Sequence, residues 1–86
     1  MADEAKAISQ RHQKWIVDLL RDKGGSCSYE DVVVAGEAHH CDTVGAMLKI
    51  LKSHNVIDYK QPFLMYPMHK ADTITLLNAS FNPLQS

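Results

Sequence analysis

Residues 42–77 read DTVGAMLKILKSHNVIDYKQPFLMYPMHKADTITLL, and the change of period within them decides the fold. Val44, Met47, Leu48 and Leu51 recur at i, i+3, i+4 and i+7, which places them on one face of a helix. Asp42 stands where an N-cap oxygen is needed. Lys52 and His54 fall in the last turn, where cations suit the negative helix end. Asn55 tolerates the left-handed backbone that closes a helix. The period then shifts to that of a strand. Val56, Ile57 and Tyr59 begin one strand, Lys60-Gln61-Pro62 turns the chain, and residues 63–65 predict a second. A third, residues 73–77 (TITLL), is rich in β-branched side chains. A helix feeding a small antiparallel sheet follows, and the rest of the chain must cover the apolar faces of both.

Upstream, residues 2–23 predict a first helix with Ile8, His12, Trp15, Ile16, Leu19 and Leu20 as its apolar stripe. Asp3 and Glu4 near its start and Arg21 and Lys23 at its end suit the helix dipole, and Gly24-Gly25 stops it. Trp15 lies within the stripe and reads as a core anchor against the later helix; the alternative is an exposed binding tryptophan. Cys27 lies in a short extended piece. Ser28 then reads as an N-cap, with Asp31 three residues on, opening a short helix over 29–38. Val32-Val33-Val34 is β-branched and leaves a strand open there, and Gly36 weakens a helix. The predicted architecture is α+β and winged-helix-like, with three helices packed on a small antiparallel β-hairpin or sheet. Its expected core is Trp15, Leu19, Val33, Val44, Leu48, Leu51, Val56, Leu64, Ile74 and Leu76. Residues 1–78 form one domain, and residues 79–86 a tail that frays or lies over the surface.

Eighty-six residues, 45% of them hydrophobic, suffice for one domain with little stability to spare. A net charge of −1 disfavours a general nucleic-acid binder, because neutralising phosphate needs a basic excess. The charge is uneven. Residues 24–48 carry Glu30, Asp31, Glu37 and Asp42 and no Lys or Arg, whereas residues 49–70 carry Lys49, Lys52, Lys60 and Lys70 against Asp58. Cys27 and Cys41, with no secretory pattern in MADEAKA, predict a reduced intracellular pair. No apolar run reaches membrane-spanning length, so the expectation is a cytoplasmic, monomeric chain without a membrane partner.

Cys27, His39, His40 and Cys41 offer four donor side chains, but no C-x₂-C or H-x₃₋₅-H spacing joins them. Three adjacent residues converge poorly on one tetrahedral ion, so a polar turn is expected, with no metal and no cofactor. His69 has only Asp72 near it as a carboxylate and reads as a turn histidine bonded to its own loop, or as part of a binding surface. No convergent acid, base and nucleophile is present, and enzymatic activity is not expected. The interaction candidates are Lys49, Lys52, His54 and Lys60, whose bland reading is a solvated face. Beside them runs Phe63-Leu64-Met65-Tyr66-Pro67-Met68, more apolar than a one-sided strand requires.

Leu48-Lys49, Lys52, Val56, Tyr59, Leu64-Met65, His69, Ile74 and Leu76-Leu77 together resemble the Costars family. These are small eukaryotic proteins similar to the C-terminal actin-binding domain of the striated-muscle activator of Rho signalling. The family elements stand here as LKILK, VIDY, FLM, MHKAD and TITLL, covering about a third of the chain; the family's F-G-x-L-F segment is replaced by EDVVVAG. The resemblance implies a winged-helix-like interaction domain, with actin or an actin regulator as partner and a cytoskeletal location. The interface it implies centres on the third helix and the wing. Lys49, Lys52, Lys60 and Lys70 would form the rim, and Phe63, Tyr66 and Met68 the apolar anchors, with His54 and His69 beside them. Two further readings stand beside it. One is a winged-helix nucleic-acid binder with residues 42–54 as recognition helix. The other is a small docking subunit whose FLMYPM segment adds to a sheet or fills a groove.

Overall fold

A computed structural model describes residues 2–62 and 64–82, with side chains described from residue 7 onward. Helix α1 (Ala2–Asp22) leads into strand β1 (Ser26–Ser28), helix α2 (Tyr29–Ala38), helix α3 (Val44–Ser53), strand β2 (Ile57–Asp58) and strand β3 (Thr73–Leu76). Among the described residues these are three helices and one three-stranded antiparallel sheet in the order β1-β3-β2. The chain is thus a small compact α+β domain.

Local chemistry explains the boundaries. Gly24 and Gly25 take φ of 83° and 105°, which other residues adopt only with strain, and end α1. The Ser28 hydroxyl accepts from the Asp31 amide at 3.1 Å and starts α2, so Val32–Val34 is helical despite its β-branching. Asn55 has the expected positive φ, 60°. The cap of α3 differs from expectation. The helix begins at Val44 with Thr43 as N-cap and no side-chain hydrogen bond, and Asp42 is exposed. Asp42 lies one residue too early for its carboxylate to reach the first amides.

The sheet also differs. No strand forms at Leu64 or Met65, and Phe63 lies outside the described residues. The third strand is β1, which pairs Cys27 with Ile74, while β2 pairs Ile57 with Leu76. A central β3 therefore receives both neighbours, and the long stretch between β2 and β3 is left to form a turn.

Ile16, Val17, Leu20, Leu48, Leu51, Val56, Ile57 and Ile74 are the heart of the core, each at most 1% exposed. Burying such a side chain contributes about 1.5–3 kcal/mol. Val44, Met47, Leu48 and Leu51 face inward as predicted. On α1 the buried face is Gln13, Ile16, Val17 and Leu20, rotated from the predicted stripe so that Ile8 is exposed and Trp15 and Leu19 are half-buried. Gln13 enters the core because its amide donates to Ser9 Oγ at 3.0 Å, which lowers the cost of burying it. Trp15, Leu19, Val33, Leu64 and Leu76 pack around this core as partly buried residues. The tail lies over the surface as far as it is described. Arg21 donates to the Ala79 and Phe81 carbonyls, both at 2.6 Å, and Phe81 packs on the core.

Candidate partner-binding surface

The connection from β2 to β3 is built to hold an apolar turn against α2. Tyr29 and Glu30, the first residues of α2, have amides without partners inside the helix. They donate instead to the Asp72 and Lys70 carbonyls at 2.9 and 3.0 Å. The turn closes on itself through His69. The Met65 amide donates to His69 Nδ1 at 3.0 Å, and the His69 amide donates back to the Met65 carbonyl at 2.8 Å. An accepting Nδ1 carries the imidazole proton on Nε2. His69 is thus the loop-bonding turn histidine that the sequence suggests. Lys70 and Asp72 amides donate to the Pro67 and His69 carbonyls, and the Tyr66–Pro67 peptide bond is cis. The buried Tyr29 ring meets Tyr66 edge-on, with centroids 6.4 Å apart.

An anchored base thus presents an exposed tip. Met65, Tyr66 and Met68 are 58%, 50% and 74% exposed. They are half of the large exposed hydrophobics among the described residues; the others, Ile8, Val34 and Leu77, are scattered through the sequence. Clustered exposed apolar side chains mark partner sites. Met65 lies outside the anchor set expected from sequence. A strand over 63–65 gave no reason to expose it, and the closed turn does.

The predicted cations divide. Lys60 and Lys70 are exposed at the two ends of the connection. Lys60 lines a shallow groove of about 200 Å³ with Ala71, Asp72 and Thr73. Lys49 is exposed and lines a second groove, about 180 Å³, with Gly45, Ala46, Tyr59, Pro62 and Leu64. His54 is exposed at the C-cap of α3. Lys52, which is partly exposed, also serves the scaffold. Its ammonium donates to the Tyr59 carbonyl at 2.7 Å and lies 4.2 Å from the centre of the Tyr59 ring. It therefore holds α3 to the chain leaving β2.

Elsewhere Trp15 stacks on His39, with ring centres 4.6 Å apart and planes 4° from parallel, and its indole donates to His12 Nδ1 at 3.1 Å. It is neither a fully buried anchor nor a free binding tryptophan. Cys27 and Cys41 are buried free thiols. Burial, reinforced by the nearby Asp31 carboxylate, pushes the Cys27 thiol up to about 11. Burial likewise raises the Tyr29 and Tyr59 hydroxyls. Among the described residues no group of three or more His, Cys, Asp or Glu side chains is placed to hold a metal ion. No described helix is long and apolar enough to cross a membrane. No family model, curated protein or solved structure matches the chain.

Proposed function

We propose that this chain is a non-enzymatic protein-interaction module of winged-helix-like build, docking through the Met65–Met68 turn on actin or an actin regulator. The observation that carries the reading is the cluster of Met65, Tyr66 and Met68 on a turn whose base is tied to α2. A preordered apolar tip loses little conformational entropy on docking, which is how a small surface gains affinity. The order α1-β1-α2-α3-β2-β3 supports the winged-helix reading, with the β2–β3 connection as the wing. The partner class comes from the Costars resemblance of residues 48–77, and a cytoplasmic, cytoskeletal location follows from that partner. Lys60 and Lys70, exposed at the two ends of the connection, suit an acidic surface, contributing orientation and association rate more than affinity.

Two observations weigh against the other readings. Lys52 is engaged with Tyr59, which takes one of its two lysines from a recognition helix over 42–54 in a chain of net charge −1. Residues 66–71 form turns rather than an extended strand, which leaves a docking subunit the groove-filling mode rather than strand addition. Co-sedimentation with actin filaments, paired with a titration of labelled monomeric actin, tests the proposal. Saturable binding that weakens with added salt and in the Lys60→Glu/Lys70→Glu variant is expected. Absence of binding to both actin forms, with actin regulators also failing to bind, contradicts it.

A further inference from the structure

The sulfur atoms of the described residues divide sharply. Cys27, Cys41 and Met47 are all buried. Met65 and Met68, on either side of Tyr66-Pro67, are the exposed sulfur side chains among the described residues. Met47 is shielded twice, at 9% exposure and with the Ser9 hydroxyl directed at its sulfur from 3.6 Å. Cys41 is shielded by burial, and Cys27 chemically as well as sterically. Peroxide reacts with thiolate, and the raised Cys27 group stays protonated at neutral pH. A thioether has no proton to lose, so its reaction with peroxide depends on access to a sulfur lone pair.

From this arrangement we infer that Met65 and Met68 form a reversible oxidation site, at which hydrogen peroxide switches the tip from apolar to polar. That docking is thereby released rests on the function proposed above. In each step the thioether sulfur attacks one peroxide oxygen and the O–O bond breaks. The leaving hydroxide takes the remaining proton and departs as water. Sulfur is oxidised by two electrons to the sulfoxide, and the peroxide is reduced by two. The product replaces an apolar, flexible side chain with a strongly hydrogen-bond-accepting S=O group. On an exposed turn the new dipole is solvated, so the fold keeps its stability while the docking surface loses its apolar character. The same change at Met47 would put an S=O group into the core. Thiol-dependent methionine sulfoxide reductases, one for each epimer at sulfur, return the thioether, and the exposed turn gives them access.

The test treats the folded chain with limiting hydrogen peroxide and maps added oxygen by peptide mass spectrometry over time. Met65 and Met68 are expected to oxidise at least about tenfold faster than Met47, with the difference abolished in urea. Oxidation of Met47, Cys27 or Cys41 at a comparable rate in the folded chain overturns the site. The switch is read without a partner by native hydrophobic-interaction chromatography. Oxidised chain elutes earlier with an unchanged urea midpoint, and the Met65→Leu/Met68→Leu variant does not shift. Unchanged elution of the doubly oxidised chain, or loss of its folded state, overturns the switch. In actin co-sedimentation each chain is compared with its own untreated sample: wild type loses binding after peroxide, whereas the leucine variant, whatever its untreated affinity, does not. Equal retention by both overturns the release step. If untreated wild type does not bind actin, the partner reading fails, and the mass map and elution still decide the oxidation switch.

Discussion

A Cβ added at Gly36 would lie 2.6 Å from Val44 Cγ2, closer than side chains approach one another. Ala normally gains about 1 kcal/mol over Gly inside a helix. Here overpacking opposes that gain, because Val44 is buried and branched. Gly36→Ala is therefore expected to destabilise the fold by about 1–3 kcal/mol, read as a lower urea midpoint. The sequence shows this glycine only as a flaw in a helix; the reason for it is α3, which arrives eight residues later. Cys27 makes a second residue-scale prediction. Its folded thiol lies at about 11, against 9.0 ordinarily. The folded chain holds a proton that the unfolded chain releases, so this contribution is whole below about pH 9 and lost by about pH 11. Stability therefore falls as pH rises through that window, and the raised Tyr29 and Tyr59 act in the same direction. Urea unfolding at about pH 8 and about pH 10 is expected to show the fall, with a shallower one in Cys27→Ala.

At the scale of elements, strong periodicity was readable and pairing was not. The inward face of α3 stands in its i, i+3, i+4, i+7 spacing, and β3 in its β-branched run. The strand β1 is three residues long, too short to show a period, and its place beside β3 depends on contacts across the chain. The run from Phe63 to Met68 is apolar enough to suggest a strand, yet its described part closes on His69 and α2 instead. Lys52 shows a related limit of the spacing. Helical spacing assigns a side chain to a face, but a four-carbon stem can bring its ammonium to a carbonyl beyond the helix end. Lys52→Met is expected to loosen the chain after β2 and cost about 1–2 kcal/mol, read as faster hydrogen exchange at residues 59–61 and a lower urea midpoint. Arg21→Ala is expected to release residues 79–82 from α1, seen as faster amide exchange there, with little change in the exchange of α3.

Over the whole molecule, the core and the candidate site draw on separate residues. The fully buried side chains come from α1, α2, α3, the sheet and Val56 just before β2, whereas Met65, Tyr66 and Met68 project from the β2–β3 connection. Truncating the core and truncating the tip therefore have different consequences. Leu48→Ala is expected to cost about 2–5 kcal/mol in stability. Met65→Ser/Met68→Ser is expected to stay within about 0.5 kcal/mol of wild type, as surface substitutions away from special features do. This separation explains why the hydrophobic spacing of residues 42–77 indicated a fold more firmly than a partner: the side chains that set the spacing face inward. The most direct test is an amide chemical-shift map of the isotopically labelled chain titrated with monomeric actin. The account predicts that the amides of residues 64–66 and 68–70 shift or broaden first, and that these changes vanish in Met65→Ser/Met68→Ser. Perturbations confined to the outer faces of α1 and α2, or persisting unchanged in that variant, would contradict it.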